Sequence, residues 1–171
     1  ELASRAHQEN IVPGVSAAIE KANVNISNLT SIAFTKGPGL LGSLIVGTSF
    51  AKSLSLSLNI PIIEVNHMRA HIHAHFIQEK KELIKIPNFP FICLTVSGGH
   101  TQLVYITSPL EMKLIGTTID DAVGEAFDKA GKILGLGYPA GPEIDKLAHF
   151  GDENKFEFTF PKAGNFDYSF S

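Results

Sequence analysis

Apolar residues recur at helical spacing near the start of the chain. Val12, Val15, Ile19 and Ala22 fall three or four positions apart, which predicts one surface helix over residues 1 to 23 with Pro13 as a kink or restart. The turn-rich run Asn23 to Asn28 closes it. Ser31 to Thr35 predicts a short strand running into Lys36-Gly37-Pro38-Gly39, and the apolar, serine-rich stretch Leu41 to Leu58 predicts a helix that stops before Pro61. Ile62 to Val65 reads as a second buried strand and His67 to Gln78 as a further helix. Strand and helix alternate here, so a partly parallel sheet of the α/β class is expected.

The pattern then changes. The polar segment Gln78 to Lys85, followed by Pro87 and Pro90, is the best linker candidate, and a boundary near residue 86 divides the chain into 1–86 and 87–171. Beyond it, Phe91 to Val96, Gln102 to Ile106 and Met112 to Gly116 predict a strand meander. Asp121 to Leu134 predicts a helix with Val123, Ala126, Phe127, Ala130, Ile133 and Leu134 inward, and Ile144 to Phe150 another.

Composition narrows the function. With 171 residues, 44% of them hydrophobic, the chain has enough apolar content for a core. Its 14 basic and 17 acidic residues give a net charge of -3, which excludes the basic footprint of an autonomous nucleic-acid binder. Any RNA contact must be local or shared with partners. No window approaches about 18 consecutive apolar residues and no basic-then-apolar leader opens the chain, so the expectation is a soluble, cytoplasmic protein with no membrane association. The single cysteine, Cys93, excludes an intramolecular disulfide and reads as a buried small hydrophobe. Glu1 falls inside a helical pattern and Ser171 follows the aromatic run Phe166 to Phe170, so both ends read as cuts.

Four constellations could carry chemistry. His67, His71 and His75 lie one helical turn apart on one face, with His73 pointing away. Imidazoles at i and i+4 can grip one metal ion, although solvated or core histidines have the same spacing. Met68 follows His67 and no glutamate stands between the pair, unlike the H-E-x-x-H of zinc proteases.

The second, Ser97-Gly98-Gly99-His100-Thr101, is a turn between strands. Its paired glycines permit positive φ and expose consecutive N–H groups that can hold a phosphate or carbonyl oxygen; a plain hairpin turn fits the same residues. The third is acidic: Asp120 or Asp121 is a natural N-cap, and Asp121, Glu125, Asp128 and Lys132 share a polar face that solvation alone would explain. The fourth, Gly135-Leu136-Gly137-Tyr138-Pro139-Ala140-Gly141-Pro142, reads as a helix C-cap and a Pro-started helix, or as glycines admitting a nucleotide.

Taken in order, Glu1-Leu2-Ala3-Ser4-Arg5-Ala6-His7, Gly37-Pro38-Gly39-Leu40, His67-x-x-x-His71, Val96 to Thr101, Asp120 to Lys129 and Phe166 to Ser171 resemble the tRNA adenosine threonylcarbamoyltransferase family, formerly labelled glycoproteases, in its bacterial form. The resemblance implies an actin, Hsp70 and sugar-kinase type of two-lobed fold, present here only in part. It places residues 1–86 in the N-terminal lobe and 87–171 at the start of the second. It implies transfer of threonylcarbamoyl from threonylcarbamoyl-adenylate to the adenosine next to the anticodon in tRNAs reading codons that begin with A. It also implies one divalent metal, iron or zinc, on His67 and His71, and a carbamoyl-adenylate or ATP-like nucleotide on Thr95, Val96, Ser97, Gly98 and Gly99, with Asp128 and Gly141 on the nucleoside. The implied partners are tRNA, an inactive paralogue and a small ATPase.

The family's N-terminal phosphate loop, an asparagine contact and a third metal ligand, an aspartate, fall outside this sequence, so the fragment is expected to be inactive alone. His75 and His73 are not required by the family motif. A metallo-endopeptidase, a non-catalytic paralogue-like interaction module, and a kinase or ATPase of the same fold are the competing readings.

Overall fold

The computed structural model describes residues 2–78, 85–161 and 163–171. The chain forms two compact units, Glu1–Ala74 and His75–Ser171. Most of the candidate linker, residues 79–84, lies outside the described residues.

The first unit is a β-α-β element with a helix before it and a helix after it. Helix α1 (Leu2–Ala22) runs unbroken through Pro13, so the expected restart does not occur. Strands β1 (Ile32–Gly37) and β2 (Ile62–Asn66) pair in parallel, with Ile32 opposite Ile62 and Thr35 opposite Val65. Helix α2 (Leu41–Leu58) is the crossover between them. Asn59 ends it in the left-handed region at φ 52°, its N–H bonding to the carbonyl oxygens of Leu56 and Ser55.

Contrary to the expectation from apolar runs, α2 is long and apolar enough, by length and composition, to cross a membrane. Glycine and serine between its apolar residues hide that property from a search for consecutive apolar positions. The helix is the crossover of a parallel pair and contacts β1 and α1, with Ala51 its buried residue and Leu41, Ile45 and Leu56 exposed. Helix α3 (His67–His73) follows β2 directly.

The second unit is built on an antiparallel sheet. Strands β3 (Phe91–Val96), β4 (Thr101–Ile106) and β5 (Met112–Thr117) lie in the order β3-β4-β5, with Val96 opposite Thr101 and a register shift between Leu103 and Val104. Cys93, Val104 and Ile106 are buried on one face, while Ile92, Leu94 and Tyr105 are exposed on the other. Phe76, Phe89 and Phe91 cluster with ring centroids 5.5 to 6.1 Å apart.

Helices α4 (Val123–Ile133) and α5 (Gly141–Ala148) complete the unit. The predicted inward face of α4 is only partly covered. Val123 and Ala126 are half-buried, but Phe127, Ala130, Ile133 and Leu134 are exposed. The terminal segment returns to the sheet, where Tyr168 N–H donates to Thr117 O (3.0 Å) and Ile119 N–H donates to Tyr168 O (2.9 Å).

Candidate functional site

The histidine helix is set by the residue before it. Asn66 is its N-cap, and Asn66 Oδ1 accepts from the N–H groups of Met68 and Arg69 at 3.0 and 3.1 Å. That satisfies two of the four donors a helix start leaves open. Parallel pairing puts Asn66 opposite Gly37, so the Gly37-Pro38-Gly39 loop and His67 share the carboxyl end of the strand pair. Ligands bind preferentially at such ends in α/β sheets.

On α3 the His67 and His71 rings meet edge to face, and their Nε2 atoms lie 3.2 Å apart, both side chains exposed. Two nitrogens held about 2.0–2.1 Å from one ion, at an N–metal–N angle near 90–110°, stand about 2.9–3.4 Å apart. The pair therefore fits two positions of one coordination sphere. Among the described residues, no group of three or more His, Cys, Asp or Glu side chains gathers at a metal-binding distance. His75 has left the α-helix for the 3₁₀ turn Ala74–Phe76, and its Nε2 lies 4.0 Å from Cys93 Sγ. The expected three-histidine stripe is thus a pair.

In the second unit, Ser97 and His100 close the turn between β3 and β4. Ser97 N–H donates to His100 O (2.9 Å), and His100 N–H donates to Ser97 Oγ (3.0 Å). Gly98 and Gly99 form the two-residue tip, and neither lies in the left-handed region, contrary to the expectation that paired glycines serve positive φ there. Among the described residues, a β-carbon on either would meet no atom within 4 Å beyond its chain neighbours. Neither backbone conformation nor crowding by the described residues therefore requires glycine, and what glycine preserves is open space over the tip. Thr95 is 8% exposed and Val96 54%, on opposite faces of β3, so their side chains cannot line one face together.

Asp128, on α4, reaches the loop that precedes α5. Its Oδ1 accepts from Ala140 N–H at 2.7 Å, with Ala140 1% exposed, which brings Asp128 beside Gly141. Gly135 follows the C-cap Leu134 at φ 73°, with Gly135 N–H donating to Lys132 O and Leu136 N–H to Gly131 O, so it is the left-handed glycine that closes α4, as its position suggested.

Asp120 and Asp121 do not cap α4, whose N-cap is Ala122 with no side-chain bond. They hold the terminal segment. Asp120 accepts from Ser169 Oγ (2.5 Å) and Phe170 N–H (2.8 Å), and Asp121 accepts from Ser171 Oγ (2.6 Å) and Lys129 Nζ (2.5 Å). The Ser169 hydroxyl above all, then the Phe170 amide, holds the Asp120 carboxyl below its ordinary range. Asp121 is lowered chiefly by Lys129, then Ser171, and Lys129 is raised by Asp121 and then Glu125. Lys129, rather than Lys132, pairs with the acidic residues of this face.

The six motifs are thus ordered on an α/β frame, with a histidine pair in one unit and a glycine turn, an acidic lock and an Asp128–Ala140 bond in the other. Compared with known proteins, all of residues 1–171 match the family model described as "TsaD: tRNA N6-adenosine threonylcarbamoyltransferase". The chain belongs to this family. Among curated tRNA N6-adenosine threonylcarbamoyltransferases, it is 61% identical to that of Christiangramia forsetii and 58% identical to that of Porphyromonas gingivalis, each over 171 residues. The alignments cover 100% of this chain and 50% of each relative, so the chain spans about half the length of the curated threonylcarbamoyltransferases it matches. Among solved structures, YeaZ from Pseudomonas aeruginosa is similar at 18% identity and a TM-score of 0.45, covering 63% of this chain and 50% of that one.

Asn66 escaped the sequence reading although it carried a readable signal, an asparagine directly before a helix. Thr101 and Gly124 stood within motifs already singled out, but the contact by which they join the glycine turn to α4 carried no sequence signal, because it depends on how the hairpin packs.

Proposed function

We propose that this chain is the central part of a tRNA-modifying acyl transferase. The full-length protein moves threonylcarbamoyl from threonylcarbamoyl-adenylate to the exocyclic amine of the adenosine next to the anticodon, in tRNAs reading codons that begin with A. The observation that carries this reading is the Ser97–His100 turn, whose two glycines leave open space where none of the described residues requires glycine. The adenylate lies there, with Val96 beside it and the Gly98 and Gly99 N–H groups donating to its carbamoyl or phosphate oxygen. Asp128 and Gly141 hold the nucleoside.

In the transfer, the adenosine amine nitrogen forms a bond to the carbamoyl carbon. The bond from that carbon to the phosphate oxygen breaks, AMP leaves with the bonding pair, and the amine loses a proton. No side chain of this segment is assigned as the acid or base. His67 and His71 hold one divalent metal, iron or zinc, with further ligands from outside the segment, and a bound metal supplies Lewis-acid polarisation and offsets phosphate charge. The complete fold is the two-lobed actin, Hsp70 and sugar-kinase type, and the protein works in the cytoplasm. An inactive paralogue and a small ATPase are its partners and account for tRNA binding by a protein in which this segment carries a net charge of -3.

The test is transfer of labelled threonylcarbamoyl to tRNA by the full-length protein with its partners, beside a His67→Ala, His71→Ala double variant. Transfer by the parent and its loss in the variant is the expected result. No transfer by a folded, metal-loaded parent sinks the transferase reading, and undiminished transfer by the variant sinks the metal role.

A further inference from the structure

Helix α4 begins without a side-chain cap of its own, and the glycine turn takes the place of one. Val123 N–H donates to Thr101 Oγ1 at 3.0 Å, and Gly124 N–H donates to Ser97 O at 3.3 Å. The acceptors flank the two tip glycines, Ser97 before them and Thr101 after. Thr101 is 2% exposed, and its carbonyl accepts from Thr118 N–H at 3.0 Å, which ties the same residue to the end of β5.

Gly124 closes the contact. A β-carbon there would lie 2.8 Å from both Gly98 Cα and Ser97 O, and 3.0 Å from Gly98 N. These neighbours are backbone atoms, which cannot swing aside as a side chain would. Gly124 sits in regular helix, where glycine is intrinsically less stable than alanine, so the approach of the turn is what its missing side chain allows.

We infer that Gly124 and Thr101 are positioning residues for the adenylate. They fix the Ser97–Gly99 backbone against the start of α4 and so set the position from which the turn meets its ligand. The inference rests on the reading of that turn as the adenylate site. An alanine at Gly124 must part the turn backbone from the start of α4 and so displace the Ser97–Gly99 segment. Hydrogen bonds weaken steeply as their geometry departs from the ideal, so a shift of several tenths of an ångström in the turn's N–H groups is expected to weaken adenylate binding about tenfold.

The experiment measures kcat and KM for threonylcarbamoyl-adenylate and, separately, KM for tRNA, in the full-length protein with its partners. Gly124→Ala and Thr101→Val are each expected to raise the adenylate KM about tenfold and to leave the tRNA KM unchanged. Thr101→Ser, which keeps the hydroxyl, is expected to restore the parent value. Simple loss of folded enzyme would lower kcat and move neither KM.

Gly99→Ala probes the underlying reading, since its β-carbon meets no atom of the described residues and stands in the space the ligand is proposed to take. If Gly99→Ala raises the adenylate KM while Gly124→Ala and Thr101→Val do not, the positioning role is overturned and the site stands. An unchanged KM in Gly99→Ala overturns the site and the inference with it. Should Gly124→Ala fail to fold, the Thr101 pair decides: a raised KM in Thr101→Val with rescue in Thr101→Ser supports the role, and parent kinetics in both overturns it.

Discussion

His71 Nε2 lies 3.2 Å from His67 Nε2, one helical turn away on the same exposed edge of α3. A rigid helix presents both nitrogens without ordering a loop, so the pair acts as a unit and loss of either leaves this segment with one ligand. In the full-length protein, His67→Ala and His71→Ala are each expected to retain less than about a tenth of the bound iron or zinc after dialysis, a loss of the size usual when metal-site partners are removed. His75→Ala is expected to retain all of it. Elemental analysis checks this, and parent-like metal content in His67→Ala would remove the pair from the site.

The same helix start makes a stability prediction. Asn66 Oδ1 satisfies two N–H groups at once, and replacing such an N-cap with alanine typically costs about 1 kcal/mol. Asn66→Ala in the full-length protein should lower stability in urea by about that amount, while Asn66→Asp, which keeps the acceptor, stays within a few tenths. Equal losses in the two variants would mean that the cap contributes little.

Local patterns made much of this fold readable. Leu41–Leu58 and Phe91–Val96 have the predicted bounds, because apolar periodicity and the prolines and glycines beside them act over a few residues. Asp120 and Asp121 show where that stops. Their side chains fit an N-cap locally, but the terminal segment returns to the sheet at Tyr168 and brings residues 169–171 to the same oxygens. The exposed Phe127 and Ile133 show the same limit, since helical spacing marks an apolar face without saying what covers it. For the candidate site, the His67–His71 pair was visible as spacing, whereas the Gly124 approach to Gly98 exists only in three dimensions.

The acidic lock gives a pH dependence. Asp120 and Asp121 have carboxyls lowered from 3.8 in the folded chain, so their contribution is fully present above that value and is lost as pH falls through the lower folded values. Lys129 is raised from 10.5, so its contribution is present below 10.5 and is lost as pH rises through the folded value. The lock is therefore expected to hold from about pH 4 to 10 and to loosen below it. Hydrogen exchange at Phe170 N–H, corrected for its intrinsic rate, should show protection falling off below pH 4. Asp120→Asn keeps an oxygen acceptor but cannot titrate, so the part of the acid loss due to Asp120 should disappear in it; an unaltered acid transition would assign the loss elsewhere.

Asp128 can be tested for two roles at once. Its Oδ1 accepts from the buried Ala140 N–H, which leaves Oδ2 to accept from a ribose hydroxyl. Asp128→Ala orphans the amide, at a cost of about 1–3 kcal/mol, and removes both acceptors. Asp128→Asn can keep an oxygen on Ala140 while its NH₂ replaces the second acceptor with a donor, so folding should be nearly unaffected. A hydrogen bond to a charged group is worth about 1.5–3 kcal/mol, which predicts an adenylate KM raised at least about tenfold in Asp128→Asn. Parent-like KM in a stable Asp128→Asn protein, with instability confined to Asp128→Ala, would make Asp128 a support for the Ala140 loop and place the ribose contact on another residue.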